Sequence, residues 1–223
     1  MGRVPFVVQG ATIVDGSGGD PWPGDVRVGA DGLIAALGSG LTAGEEEEVV
    51  DAGGRVLAPG FVDMHSHSDL YTLVRPVDGG AAPLGDAPKL VQGCTTQVFG
   101  QDGISAAPVH DHDVEDYAAY IAGLDGFLEP ARWTWRSFGT YLGELRDAST
   151  TRVAGLVGHS TVRRYAMGMA NRPPSDDELE LMCDAVDAAM RGGAIGLSTG
   201  LVYVPAAYAG FDELVALCRV VAG

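Results

Sequence analysis

Two histidines, His65 and His67, stand at i and i+2 directly after the apolar run Phe61 to Met64. That spacing puts both imidazoles on one face of a β-strand. Neutral imidazole is the commonest borderline ligand for zinc and its neighbours, and a rigid strand end holds two such nitrogens within reach of one ion. An HxH pair at a strand end with no ligand is the plainer reading of these two residues alone, so their flanks decide. A second pair, His110 and His112, sits in a Pro-Val-His-Asp-His-Asp loop that opens a helix. Solvated or capping roles fit that pair better than metal.

The elements that must position these groups fall into two stretches. Residues 1–57 read as short strands, Phe6 to Val8, Ala11 to Val14, Val26 to Val28, Leu33 to Leu37, Val49 to Val50 and Arg55 to Leu57. Asp-Gly and Gly-Gly turns separate them, which predicts a small β-unit. The four glutamates 45–48 read as a solvated loop. From residue 58 to 223 the rhythm becomes strand, loop, helix. Strands are expected at 60–64, 94–99, 153–157 and 194–197, with a short helix near 86–92 and a helical insertion over roughly 113–147. Trp133 and Trp135 in that insertion read as packing residues. Ser175 to Glu178 is a capping box, Leu179, Met182, Val186 and Met190 share one helical face, and Gly192-Gly193 is a stop. A last helix is expected at 211–221, its Asp212 and Glu213 suiting a positive N-terminal end. The fold class is therefore α/β, with about four β/α units.

Composition narrows the classes of function. With 46% hydrophobic and 20% charged residues the protein can bury a core. A formal net charge of −16 repels phosphate backbones and anionic lipid, which argues against nucleic-acid and membrane partners. Cys94, Cys183 and Cys218 are odd in number and far apart, which argues against a disulfide framework. The start lacks a secretory apolar segment and no run of about 18 apolar residues occurs, so a cytoplasmic location is expected.

The stretch PGFVDMHSHSD resembles the first-strand signature of the amidohydrolase superfamily, metal-dependent hydrolases built on a (β/α)8 barrel. GCTTQVFGQDGIS, LVGHSTVRRYAMG and GAIGLSTGLVYVPAAYA resemble, in order, the strand-two, strand-three and strand-four blocks of its N-acyl-D-amino-acid deacylase group. The resemblance runs from about residue 5 to the last residue. It implies the N-terminal part of a TIM-type barrel, preceded by part of a small β-sandwich whose other strands come from later in the polypeptide. Such a barrel needs eight units over about 250 residues, so a truncated or split form is expected, completed by a C-terminal half or a partner chain.

The implied activity is hydrolysis of the amide that links an acyl group to a D-amino acid, a small-molecule substrate, with a divalent metal, zinc by preference, as cofactor. His65 and His67 would be ligands. Asp102 stands where the group usually carries a ligating cysteine, and a carboxylate also binds zinc. Tyr203 resembles a residue that helps to hold the substrate carboxylate. His159, at a strand end, either faces the barrel mouth and touches substrate or packs at the strand end. The general base and further histidine ligands are expected outside these residues. Other superfamily members bridge two metals through a carboxylated lysine after strand four. The only lysine here, Lys89, precedes strand two, which weighs against the alternative enzymes, dihydroorotase-like and hydantoinase-like cyclic amidases. A catalytically silent scaffold subunit is the alternative from another class.

Overall fold

A computed structural model describes residues 4–74 and 87–223. The protein folds as two compact units, Met1–Gly60 and Phe61–Gly223.

In the first unit β1 (Phe6–Ile13) joins two of the expected strands into one. It pairs antiparallel with β2 (Trp22–Val28), with an irregularity between Val8 and Ala11. There the Gly10 N–H leaves the ladder and donates to Asp25 Oδ1 at 2.8 Å. Asp25 also accepts from Leu41 N at 2.9 Å, and the two backbone donors hold its carboxyl below the usual range. β3 (Ile34–Gly38) pairs antiparallel with β2, while β4 (Glu48–Asp51) and β5 (Val56–Leu57) pair parallel with β1. The expected glutamate loop is only partly a loop. Glu48 begins β4, and Glu47 forms an ion pair with Arg27 at 2.7 Å. Ala11, Ile13 and Val26 form a small core.

The second unit alternates parallel strands with helices. β6 (Phe61–Asp63) is followed by α1 (Asp69–Thr72) and α2 (Ala87–Leu90); residue 86, at the start of the predicted short helix, lies outside the described residues. β7 (Cys94–Phe99) leads to α3 (Val114–Asp125) and α4 (Phe138–Ala148). β8 (Arg152–Gly155) and β9 (Val157–Gly158) run into α5 (His159–Met167), then α6 (Asp176–Arg191), β10 (Leu197–Ser198) and α7 (Phe211–Ala222). β6, β7 and β8 pair in parallel, as do β9 and β10. Leu156 N bonds Phe99 O at 2.9 Å, and Val157 N bonds Gly196 O at 3.0 Å. β8 and β9 thus act as one interrupted strand with β7 on one flank and β10 on the other. Because the strands are parallel, the segments that follow them, at His65, Gly100, His159 and Thr199, leave from the same end of the strands.

The core of this unit lies under the two helices of the insertion. Trp133 and Trp135 are both buried and stack at 5.0 Å. Each indole N–H reaches a backbone carbonyl, Leu128 O at 3.1 Å and Ala106 O at 2.8 Å, so the aromatic area is buried with no polar atom left behind. Phe138, Tyr141, Leu142 and Leu145 present one face of α4 to the same core. Each large apolar side chain withdrawn from water contributes roughly 1.5–3 kcal/mol.

α6 begins with the predicted capping box. Ser175 Oγ accepts from Glu178 N at 3.3 Å and Ser175 N donates to Glu178 Oε2 at 2.7 Å. Arg172 clamps the same carboxylate with two bonds of 2.7 Å. The guanidinium, helped by the Ser175 N–H, lowers the Glu178 carboxyl from the ordinary 4.5 to about 2. A carboxyl depressed on folding stabilises the fold above its unfolded value and loses that contribution as pH falls toward its folded value. Glu178→Gln is therefore expected to lower the melting temperature at neutral pH, with the gap to the parent closing between about pH 4.5 and pH 2. Paired thermal melts across that range check it; a gap undiminished at pH 2 counts against the charge.

Candidate metal centre

His65 and His67 leave β6 with their rings on one side, 5.0 Å apart between centroids. Their Nε2 atoms are 3.1 Å apart. Asp102 brings Oδ2 to 3.3 Å from His67 Nε2 and 3.6 Å from His65 Nε2. Among the described residues, this is the group of three whose donor atoms converge closely enough to share an ion. Tetrahedral zinc with bonds of about 2.0–2.2 Å sets its ligand atoms about 3.3–3.6 Å apart. The three separations fall on or near those edges, so two nitrogens and one carboxylate oxygen are spaced to share a divalent cation.

Asp102 reaches this point on a tightly folded loop. Its backbone has φ of 56°, in the left-handed region, which Asp and Asn tolerate better than most residues. Gly100 is also left-handed, and a Cβ there would lie 1.9 Å from Leu156 O. Ser198 Oγ receives the Gly103 N–H at 3.0 Å and donates to Gly100 O. Gln101 Nε2 donates to Met64 O at 2.8 Å, which ties the loop to the residue just before His65. The Asp102 carboxylate is thereby held opposite the imidazoles by backbone geometry.

His67 has a further partner. Its Nδ1 lies 2.8 Å from Oδ1 of Asp125, the last residue of α3. Asp125 is buried, and burial, with the charges of Asp69 and Asp102, pushes its carboxyl up to about 9. Asp69 is buried as well and accepts a short bond from Tyr141 Oη. Burial pushes the Asp69 carboxyl up while the tyrosine hydroxyl works against that shift. Neither Asp69 Oδ1 nor Asp125 Oδ2 has a hydrogen-bond partner among the described residues.

His159 takes the packed position of the two the sequence left open. It is fully buried at the start of α5, with Nδ1 3.0 Å from Thr199 Oγ1 and Nε2 2.8 Å from Glu213 Oε1. Arg163 holds the other oxygen of Glu213. Burial alone would raise the Glu213 carboxyl, yet His159 and Arg163 keep it below its usual value. Both ring nitrogens of His159 are thus spent on joining α5, α7 and the β10 loop. Tyr203 lies half-buried on the turn after β10, against the core. A Cβ on Gly200 would sit 2.1 Å from Asp102 O and 3.0 Å from the Tyr203 ring, so the Tyr203 turn abuts the backbone of Asp102.

The second pair plays a local part. His110 stands at the N-cap position of a 3-10 turn, its ring stacked 3.9 Å from Tyr165 and its Nε2 3.0 Å from Tyr165 O. Lys89 pairs with Asp63 on β6.

A parallel α/β unit carrying two histidines after its first strand and a carboxylate after its second matches the sequence profile of the amidohydrolase family over residues 48–221. The protein belongs to that family. It is 36% identical over 222 residues to an N-acyl-D-aspartate deacylase of Alcaligenes xylosoxydans xylosoxydans, covering 99% of this sequence and 41% of that protein. A D-aminoacylase of the same organism is 38% identical over 218 residues, covering 96% and 42%. Among solved structures, the N-acyl-D-glutamate deacylase of Bordetella bronchiseptica superposes with a TM-score of 0.80 at 36% identity, over 99% of this sequence and 43% of that one. That structure holds zinc and a phosphonate inhibitor that mimics the tetrahedral intermediate. The sequence spans about two fifths of the length of these relatives. The architecture is that of the N-terminal part of such an enzyme.

Proposed function

We propose that these residues form the first part of a metal-dependent amide hydrolase that releases a carboxylate and a free amino acid from N-acyl-D-amino acids. The observation that carries this reading is the convergence of His65, His67 and Asp102 at ligand separations, in a sequence that aligns almost throughout with deacylases of that class. In the full-length protein the four β/α units belong to a (β/α)8 barrel and residues 1–57 to a β-sandwich. A C-terminal half supplies the remaining strands, further ligands and the general base. The protein works in the cytoplasm; among the described residues no helix is long and apolar enough to cross a membrane.

A divalent cation, zinc by preference, lowers the pKa of a bound water toward neutrality and polarises the scissile carbonyl. His65 and His67 offer neutral nitrogen donors, and Asp102 offers a negative oxygen that offsets part of the cationic charge. The loop of Gly100 and Gly103 keeps that oxygen in place as substrate enters. Tyr203, on the turn beside Asp102, binds the amino-acid carboxylate. Lys89 is the only lysine and is paired with Asp63, so these residues offer no lysine bridge of the kind that cyclic amidases use.

The test is hydrolysis by the full-length protein of acetylated D-aspartate, D-glutamate and neutral D-amino acids, beside their L-isomers and a dihydropyrimidine. Turnover confined to the acyclic D-substrates, abolished by chelation and restored by zinc, is the expected result. Turnover of the cyclic amide alone would overturn the assignment.

A further inference from the structure

We infer that Asp125 is a positioning residue for the metal site: it fixes His67 in the orientation that aims Nε2 at the cation, without touching the cation itself. The inference rests on the metal reading of His65, His67 and Asp102.

Asp125 is badly placed for stability by every local measure. It closes α3, where the exposed carbonyls carry partial negative charge and a carboxylate is repelled. It is 2% exposed, and a buried charge is costly unless paired and hydrogen-bonded. Its Oδ2 has no partner among the described residues, which leaves a buried acceptor unsatisfied. Among the described residues its single compensating contact is with Nδ1 of His67 at 2.8 Å. A side chain that strains the fold and touches one atom makes sense when that atom belongs to a site.

The geometry says what the contact does. For Nε2 to present its lone pair to a cation, Nδ1 must carry the proton and donate to Asp125, and Nε2 is the atom 3.1 Å from His65 Nε2 and 3.3 Å from Asp102 Oδ2. The ring cannot rotate about its axis without breaking that bond. A carboxylate behind a ligating imidazole also raises its basicity, and loss of such a partner typically weakens metal binding by about 10–100-fold. Among the described residues His65 has no equivalent: it is the more exposed of the two, and Asp63 Oδ1 reaches its backbone N–H, not its ring. The two ligands are therefore unequal, His67 held and His65 free to adjust.

The test uses the full-length protein with zinc titrated against a competing chelator, and thermal melts of the metal-free forms. Asp125→Ala is expected to weaken zinc binding by about 10–100-fold. Asp125→Asn, which keeps an acceptor oxygen but not the charge, should fall in between. The metal-free melting temperature of Asp125→Asn should stay level, since an amide of the same size and shape replaces a buried carboxyl that already leaves one oxygen unpaired among the described residues. Substituting a residue that only supports the fold would lower it, so loss of zinc in step with a lower metal-free melting temperature in both variants overturns the inference. Parental zinc affinity in Asp125→Ala overturns it as well, with the metal reading intact. If the parent itself takes up no zinc, the metal reading falls first and this inference with it.

Discussion

His67→Ala is expected to abolish metal uptake and hydrolysis in the full-length protein, and His65→Ala to do nearly the same by a different route. Each removes one of the three donors whose separations match a single cation, so the loss should exceed the roughly 10–100-fold that follows removal of a residue behind a ligand. The two variants should part company in stability. His67 is the more enclosed imidazole, and its Nδ1 is the only partner of Asp125 among the described residues. Taking it away leaves a buried carboxyl unpaired, a cost of about 1–3 kcal/mol. The His65 imidazole is 57% exposed, and its removal should leave the metal-free melting temperature nearly unchanged. Metal analysis by emission spectrometry and metal-free thermal melts separate the effects. Full zinc content in a His65→Ala, His67→Ala double variant would refute the site, and equal melting temperatures for the two single variants would refute the asymmetry.

What was legible in the sequence was local. The HxH pair on a strand end, the capping box of α6 and the alternation of strands with helices each depend on spacings of a few residues. What was not legible depends on distance or on inverted chemistry. α5 went unseen because its inward residues are His159, Ser160, Thr161, Val162 and Arg163, which give no apolar periodicity, and because Gly158 starts it without a side-chain cap. The network of His159, Arg163 and Glu213 that makes such a polar helix buriable joins positions about fifty residues apart. Asp125 was invisible for the same reason, lying 58 residues from His67. One signal did exist: an acidic residue ending a helix just before Gly126, where the helix dipole disfavours it. The merging of two predicted strands into β1 also follows from a distant partner, since Asp25 satisfies the Gly10 N–H and lets the strand continue through a residue that otherwise reads as a break.

Asp102 is the residue where charge, backbone and metal preference can be separated by substitution. Asp102→Asn keeps size and tolerates the left-handed φ of 56°, so the loop should keep its shape while the donor set loses its negative charge. Zinc binding should weaken by at least the ~10-fold expected of a residue behind a ligand, with little change in metal-free stability. Asp102→Cys replaces a hard oxygen by a soft thiolate. It should retain a site but move its preference from manganese toward zinc and other softer ions, while the left-handed backbone costs the loop about 1–2 kcal/mol. The glycines at 100 and 103 and the bonds to Ser198 hold the backbone in both variants, so the two outcomes report the ligand atom. Competition titrations with zinc, cobalt and manganese on the parent and both variants give the three affinity orders. Unchanged zinc affinity in Asp102→Asn would make Asp102 a turn residue that faces the imidazoles without binding, and the cation would then rest on His65 and His67 alone in this part of the fold.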